Sequence, residues 1–380
     1  MSTVRVDPGH WWDGPWWAVI KDARRHQRRR HLRVGIALVA IAAAALGWSL
    51  SDHPGKIQPE QPPQASTTTT PVTLAGSTVA AAAAPGALWV LSCVRDCTGE
   101  QPMVGQLSEV ADRTGLVIKR FPVLDAGALA VGGGAIWIAH TFSGTLTRVD
   151  PRTGRIETTT RLVLPVPVSP HDRQFRPSSV SVGAGKVWVS TARGWIAEID
   201  QRTSRLVALL PTPSEDNTSV VGPSGIWVAE DLDGLGFGAP GAHRLSVRPA
   251  SVRGQPLDLT GLATGGGLIW AYASGPVAAP SYIGWRSISV VMAINPRTQR
   301  TVQTWQFPGV DDTIAYDQDA AYVSDFTHGQ LLRITPHHGI QPLHSQTGPD
   351  AIVAATPGAL WAKTSRGTLL RLALPGSNTH

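Results

Sequence analysis

Val131 to Ile156 reads VGGGAIWIAHTFSGTLTRVDPRTGRI. It holds the end of an apolar strand, a glycine turn, a strand centred on Trp137, a polar turn, a third strand and the turn Asp150-Pro151-Arg152-Thr153-Gly154. The same grammar recurs around Trp89, Trp188, Trp227, Trp270 and Trp361, with Tyr322 in the place between the last two. Seven units spaced 39 to 52 residues apart, with about four strands each, are the mark of a β-propeller. The middle strands of a blade are covered on both faces, so they should read as continuous apolar runs. AIWIA, KVWVS, GIWVA, LIWAY and ALWAK do so. An indole in such a strand fills the wedge between radiating sheets and buries on the order of 200 Å², so these tryptophans are read as packing.

Between first and second strands stand VGGGAI, VGAGKV, VGPSGI and TGGGLI, where glycine supplies the positive φ of tight hairpins. Between third and fourth strands stand ADRTGL (111–116), DPRTGR (150–155), DQRTSR (200–205) and NPRTQR (295–300). Asp or Asn opens such turns by bonding the backbone, so these carboxylates are assigned to turns and not to a ligand. The final unit has strands near 351–355, 359–363 and 368–374 and then stops. A spare strand, Thr70 to Thr78, precedes the first unit. It is expected to complete the last blade and close the ring.

The remaining segments precede the ring. Residues 1–33 carry eight Arg or Lys and three Asp, a net of +5 out of the chain's +6. The other 347 residues, 25 basic against 24 acidic, are nearly neutral and offer no nucleic-acid footprint. Arg24-Arg25-His26-Gln27-Arg28-Arg29-Arg30 stands before seventeen uncharged residues, Val34 to Leu50. That length is the short end of a bilayer-spanning helix. The positive-inside rule then keeps the N-terminus cytoplasmic and sends the remainder outward. A cleaved signal peptide ending near Ala43-Ala44-Ala45 is the alternative. Trp11, Trp12, Trp16 and Trp17 suit the inner membrane interface. The Pro, Thr and Gln-rich stretch after Leu50 reads as a spacer. The expected organisation is a basic cytoplasmic tail (1–33), a transmembrane signal-anchor (34–50), a linker (51–71) and an all-β, seven-bladed propeller of four-stranded blades (72–380). Arg outnumbers Lys 28 to 5, in keeping with a GC-rich bacterial genome.

The pattern G-x-[AIL]-W-[VI]-[AS] followed by [IV]-D-P-R-T-G resembles the seven-bladed propellers of the YVTN and streptogramin B (virginiamycin B) lyase-like group, akin to NHL repeats. The resemblance covers residues 72 to 380. It implies the fold and leaves function open, because such rings host enzymes and binding modules alike. Gly-His and Trp-Asp pairs of the WD40 type are missing at blade spacing, and no C-x-x-C-H haem motif occurs.

In such a ring, the loops after the second strands and those leading into the first strands open on one face. They carry His140, Arg193, Glu230, Asp231, Asp325 and His328 in the first set, and Asp311, Asp312 and Asp350 in the second. More carboxylates than cations there favour a cationic ligand or a hard metal ion. Two long stretches, Pro165–Pro177 and Asp231–His243, read as insertions into blades three and four.

The expected function is therefore non-enzymatic: a membrane-tethered extracytoplasmic module that binds a protein, glycan or small molecule through that face. Arg193, Asp231, Asp311, Asp312 and Asp350 are its expected ligand contacts, and no cofactor is required. The resemblance implies a second possibility, a Mg²⁺-dependent elimination opening a cyclic depsipeptide. It would use His140 or His328 as base and Glu230 with Asp325 around the metal. The lyases' repeated Trp-Phe-Thr-Glu survives only as Trp227-Val228-Ala229-Glu230. A third is a sensor that signals through its cytoplasmic tail to a partner. Cys93 and Cys97, the only two cysteines, should pair into a small disulfide clip outside the cytoplasm.

Overall fold

The computed structural model describes residues 66–97, 101–163, 177–191, 194–213, 218–230, 234–252, 255–278, 285–308, 313–317, 319–325, 330–345 and 351–374. Among them every regular element is a strand. No helix of the described residues is long and apolar enough to cross a membrane. The segment expected to do so, Val34 to Leu50, lies outside the described residues.

Seven antiparallel sheets follow one another along the chain. Blade 1 is built from Ser77–Ala84, Ala87–Arg95, Val104–Ala111 and Val117–Leu124, and blade 2 from Ala126–Gly132, Ala135–His140, Thr145–Val149 and Ile156–Arg161. Blades 3 to 7 start at Pro177, Thr218, Asp258, Ile314 and Ala351. The innermost strand of each blade touches that of the next, and the seventh touches the first, so the sheets encircle an axis. Because strands alternate in direction, the loops between second and third strands and those between blades share one face, called the top here. Tight turns occupy the bottom.

Seven apolar clusters hold the ring, one at each blade interface, and each takes one wedge from the preceding blade: Trp89, Trp137, Trp188, Trp227, Trp270, Tyr322 and Trp361. All seven are 3% exposed or less. Register sets a partner opposite each wedge on the third strand. The partner is charged in five blades: Glu109, Arg148, Glu198, Arg333 and Arg371.

The glycines of the bottom turns divide their work. Gly133 and Gly134 both have positive φ, 61° and 75°, as a type I′ hairpin turn requires. Gly132, Gly183 and Gly265 instead make room. A Cβ on Gly132 would stand 2.7 Å from Val182 of the next blade, one on Gly183 2.8 Å from Val221, and one on Gly265 1.7 Å from Tyr316. The Asp turns behave as expected. Asp150 accepts from Arg152 N–H at 2.8 Å and from the Thr153 hydroxyl at 2.9 Å, and Asp200 accepts from Thr203 N–H at 2.8 Å.

Ring closure also follows the expectation, over a shorter strand. Thr69–Val72 pairs antiparallel with Leu369–Ala373 and completes blade 7, after which the chain enters blade 1 at Ser77. Asp112 locks the same seam: its carboxylate accepts from Thr356 Oγ1, and its carbonyl accepts from Arg371 Nε at 2.6 Å. Ahead of the closing strand, Ser66–Thr67 adds in parallel to His344–Ser345 of blade 6. The N-terminal segment thereby engages two successive blades, within residues expected to be spacer.

Two features correct the reading of the chain. Asp231–His243 is no insertion: Gly234–Gly238 is the third strand of blade 4, paired with Ile226–Glu230 on one side and Ser246–Arg248 on the other. Its glycines are a packing device, since a Cβ on Gly238 would lie 2.9 Å from Leu245. In blade 5 the second and third strands run on to Ala278↔Trp285, so a hairpin projects from the top face where no extension was expected. Pro165–Pro177 lies outside the described residues except for Pro177, which starts blade 3.

Candidate functional site

Three of the residues proposed for chemistry share one position of the repeat. His140, Glu230 and Asp325 each stand three residues beyond the wedge, at the top end of a second strand. Ser92 and Thr191 hold that place in blades 1 and 3, both fully buried. The position is thus a polar collar just beneath the top face.

His140 is committed within it. Its Nδ1 lies 2.9 Å from the carbonyl of Leu124 in blade 1, and its Nε2 lies 2.9 Å from Thr147 Oγ1. A carbonyl can only accept, so Nδ1 carries a hydrogen. In the Nδ1–H tautomer Nε2 carries the lone pair and points at Thr147 Oγ1, whose hydroxyl also lies 3.4 Å from the Ile138 carbonyl. A general base needs a lone pair facing substrate, and this one faces its own blade. Glu230 is fully buried. It lies on the same side of its strand as Val228, which packs between blades 3 and 4.

Sequence reasoning passed over two carboxylates that the structure uses. Asp125, φ 58°, accepts Phe142 N–H at 2.8 Å on one oxygen and Ser143 N–H at 2.7 Å on the other. Its carbonyl accepts Thr141 N–H at 3.0 Å. The top loop of blade 2 is thereby fixed to the loop that enters it. Glu198, fully buried opposite Trp188, pairs with Lys186 Nζ at 3.2 Å and accepts Gly241 N–H from blade 4 at 2.8 Å. A buried ion pair with a third partner fixes an arrangement more than it stabilises one. The only signal for either residue was an acidic side chain in an otherwise apolar strand or at its edge.

Arg193, Asp231, His328, Asp311, Asp312 and Asp350 lie outside the described residues, and of Asp325 only the backbone is described. Cys93 and Cys97 are joined by a disulfide, Cα atoms 5.8 Å apart. Among the described residues no group of three or more His, Cys, Asp and Glu could hold a metal ion. Glu230 and Asp325 stand on blades 4 and 6 with blade 5 between them, and Glu230 is enclosed. The described residues therefore do not form a Mg²⁺ site.

A cleft of about 550 Å³ opens between blades 1 and 2, walled mainly by Phe121, Val123, Ile138 and Val149, with His140, Thr147 and Asp125 among its polar groups. Leu124 and Ile156, both more than 60% exposed, also line it.

No family model matches the chain, and no curated protein matches it. Solved structures do. A streptogramin B lyase structure aligns at TM-score 0.59 with 16% identity, over 81% of this chain and 97% of that one. Hydrazine synthase of Kuenenia stuttgartiensis aligns at 0.60 with 12% identity, over 85% and 100%. The Pan2 WD40 domain of Neurospora crassa aligns at 0.57 with 12% identity, over 80% and 90%. At such identities the likeness establishes the fold: this is a seven-bladed propeller of the architecture seen in the streptogramin B lyase structure.

Proposed function

We propose that the protein is a membrane-anchored, extracytoplasmic propeller that binds its ligand on the top face without transforming it. The observation that carries this is the state of His140. One ring nitrogen is spent on the joint to blade 1 and the other on Thr147 of its own blade, and Glu230 is enclosed. These two candidates for acid-base work are built into the blades. The top loop of blade 2 is held by Asp125, a rigid base that suits recognition. The Cys93–Cys97 disulfide and the basic block before Val34–Leu50 both favour a propeller outside the cytoplasm.

The acidic loop residues Asp231, Asp311, Asp312 and Asp350 suit a cationic ligand. Calorimetric titration with spermidine should show saturable, salt-sensitive binding, weakened in an Asp311→Asn/Asp312→Asn variant. Wild-type protein that ignores spermidine overturns the charge assignment. Opening of a cyclic depsipeptide by the protein with Mg²⁺, lost on Glu230→Ala, overturns the non-enzymatic reading. A C-terminal alkaline phosphatase fusion, active only outside the cytoplasm, tests the topology.

A further inference from the structure

We infer that the cleft between blades 1 and 2 is a second binding site, independent of the top face, for a small uncharged aromatic molecule. The repeat itself supplies the argument. At the interface of blades 5 and 6 the equivalent space is filled from within: Trp270 stacks on Trp305 and on Tyr316, each at 5.5 Å between ring centroids. Phe307 and Leu332 close the rest, and with Trp305 they are 8% exposed or less.

Register fixes what stands in these places between blades 1 and 2. Trp305 faces Val291 as Phe121 faces Leu107, and Phe307 faces Ser289 as Val123 faces Gly105. Thr147 precedes Arg148 as Leu332 precedes Arg333, each arginine opposite a wedge. Indole is replaced by phenyl, phenyl by isopropyl and isobutyl by a hydroxyethyl group. Three successive losses of side-chain volume at one interface leave the cleft of about 550 Å³, within the range that holds small-molecule ligands.

The walls define the ligand. Phe121 keeps its ring against Trp89, centroids 6.2 Å apart, and Gly154 admits that ring, since a Cβ there would fall 2.2 Å from it. Beyond the aromatic wall the surface is aliphatic. Among the described lining residues the one carboxylate is Asp125, whose two oxygens already accept Phe142 and Ser143 N–H. No Lys or Arg is among the described lining residues to draw an anion, and the carboxylate opposes one. A flat, neutral molecule of one or two fused rings would restore the volume that Trp305 and Phe307 supply elsewhere.

The probe is N-phenyl-1-naphthylamine, neutral and fluorescent in apolar surroundings. Full-length protein should bind one equivalent saturably, with naphthalene competing. Val123→Phe restores the filling side chain of the blade 5–6 interface. It should weaken binding roughly tenfold or more and raise the melting temperature, as cavity filling commonly does. Phe307→Val should open the blade 5–6 interface and add a second equivalent. Wild-type protein that binds no probe, or Val123→Phe protein that binds it unchanged, overturns the inference. So does a wild-type dimer that Val123→Phe converts to monomer, because a second copy of the chain would then be the occupant.

Discussion

Trp137 and Arg148 face each other across the second and third strands of blade 2, with the guanidinium carbon 5.7 Å from the indole centroid. The indole Nε1 donates to the carbonyl of Gly132, five residues back, at 3.3 Å. The guanidinium also pairs with Glu157 at 2.8 Å. One residue thus fills the interface with blade 3, caps its own hairpin and orders a charge on the outer strand. Trp137→Ala should lose about 3–5 kcal/mol in urea unfolding. Val302→Ala, at a side chain more than half exposed, should stay within about 0.5 kcal/mol.

Gly265 and Gly267 sit two residues apart and should fail differently. A Cβ at 265 meets the Tyr316 ring, whereas one at 267 meets nothing within 4 Å but must hold φ +75°. Gly265→Ala should cost about 1–3 kcal/mol through overpacking, and Tyr316→Ala should relieve much of that in a double-mutant cycle. Gly267→Ala should cost about 1–2 kcal/mol through backbone strain, with no coupling to Tyr316.

Acid should loosen the bottom turns. Backbone N–H donation, from Arg152 to Asp150 and from Thr203 to Asp200, holds both carboxyls below the usual value of 3.8. A depressed folded value means the contribution is complete above pH 3.8 and fades as pH falls through that lower value. Unfolding midpoints measured between pH 5 and pH 2, a range set by carboxylate titration, should fall less steeply in Asp150→Asn/Asp200→Asn than in wild type. Parallel curves would show that these turns carry no linkage.

Removing residues 1–72 should expose the edge of Leu369–Ala373 and cost the protein its cooperative unfolding and solubility. Removing only residues 1–68 should leave the closing strand in place and the transition cooperative. Thermal scans with light scattering separate the two.

Much of this architecture was legible because its causes are local. A tryptophan inside an apolar pentapeptide, a glycine turn before it and an Asp turn after the next strand each follow from neighbours in sequence. The unpaired third edge of the last unit likewise pointed to the closing strand. Gly234–Gly238 escaped because its strand character comes from pairing, while its side-chain space is occupied by Leu245. Leu235 and Phe237 are its only large side chains, and the glycines between them weaken its strand signal. The blade 5 hairpin and the parallel Ser66–Thr67 pair depend on register between strands, which composition does not carry.

The site was less legible than the fold. His140 and Glu230, expected in the loops after the second strands, are instead the buried last residues of those strands. What decides their roles is a carbonyl sixteen residues away in another blade and the packing of blade 3 against blade 4. Asp125 and Glu198 looked like ordinary acidic residues until the backbone N–H groups they accept were in view.

Closure of seven blades by the N-terminal strand is tested most directly by joining Thr70 to Arg371, which are register partners. A Thr70→Cys/Arg371→Cys variant, oxidised and digested, should yield one new intramolecular cross-link between these positions beside the native Cys93–Cys97 bond, with cooperative unfolding retained. Two free thiols at these positions, or a Thr70→Cys side chain that cross-links to a probe cysteine in the outer strand of blade 1 instead, would contradict the closed ring.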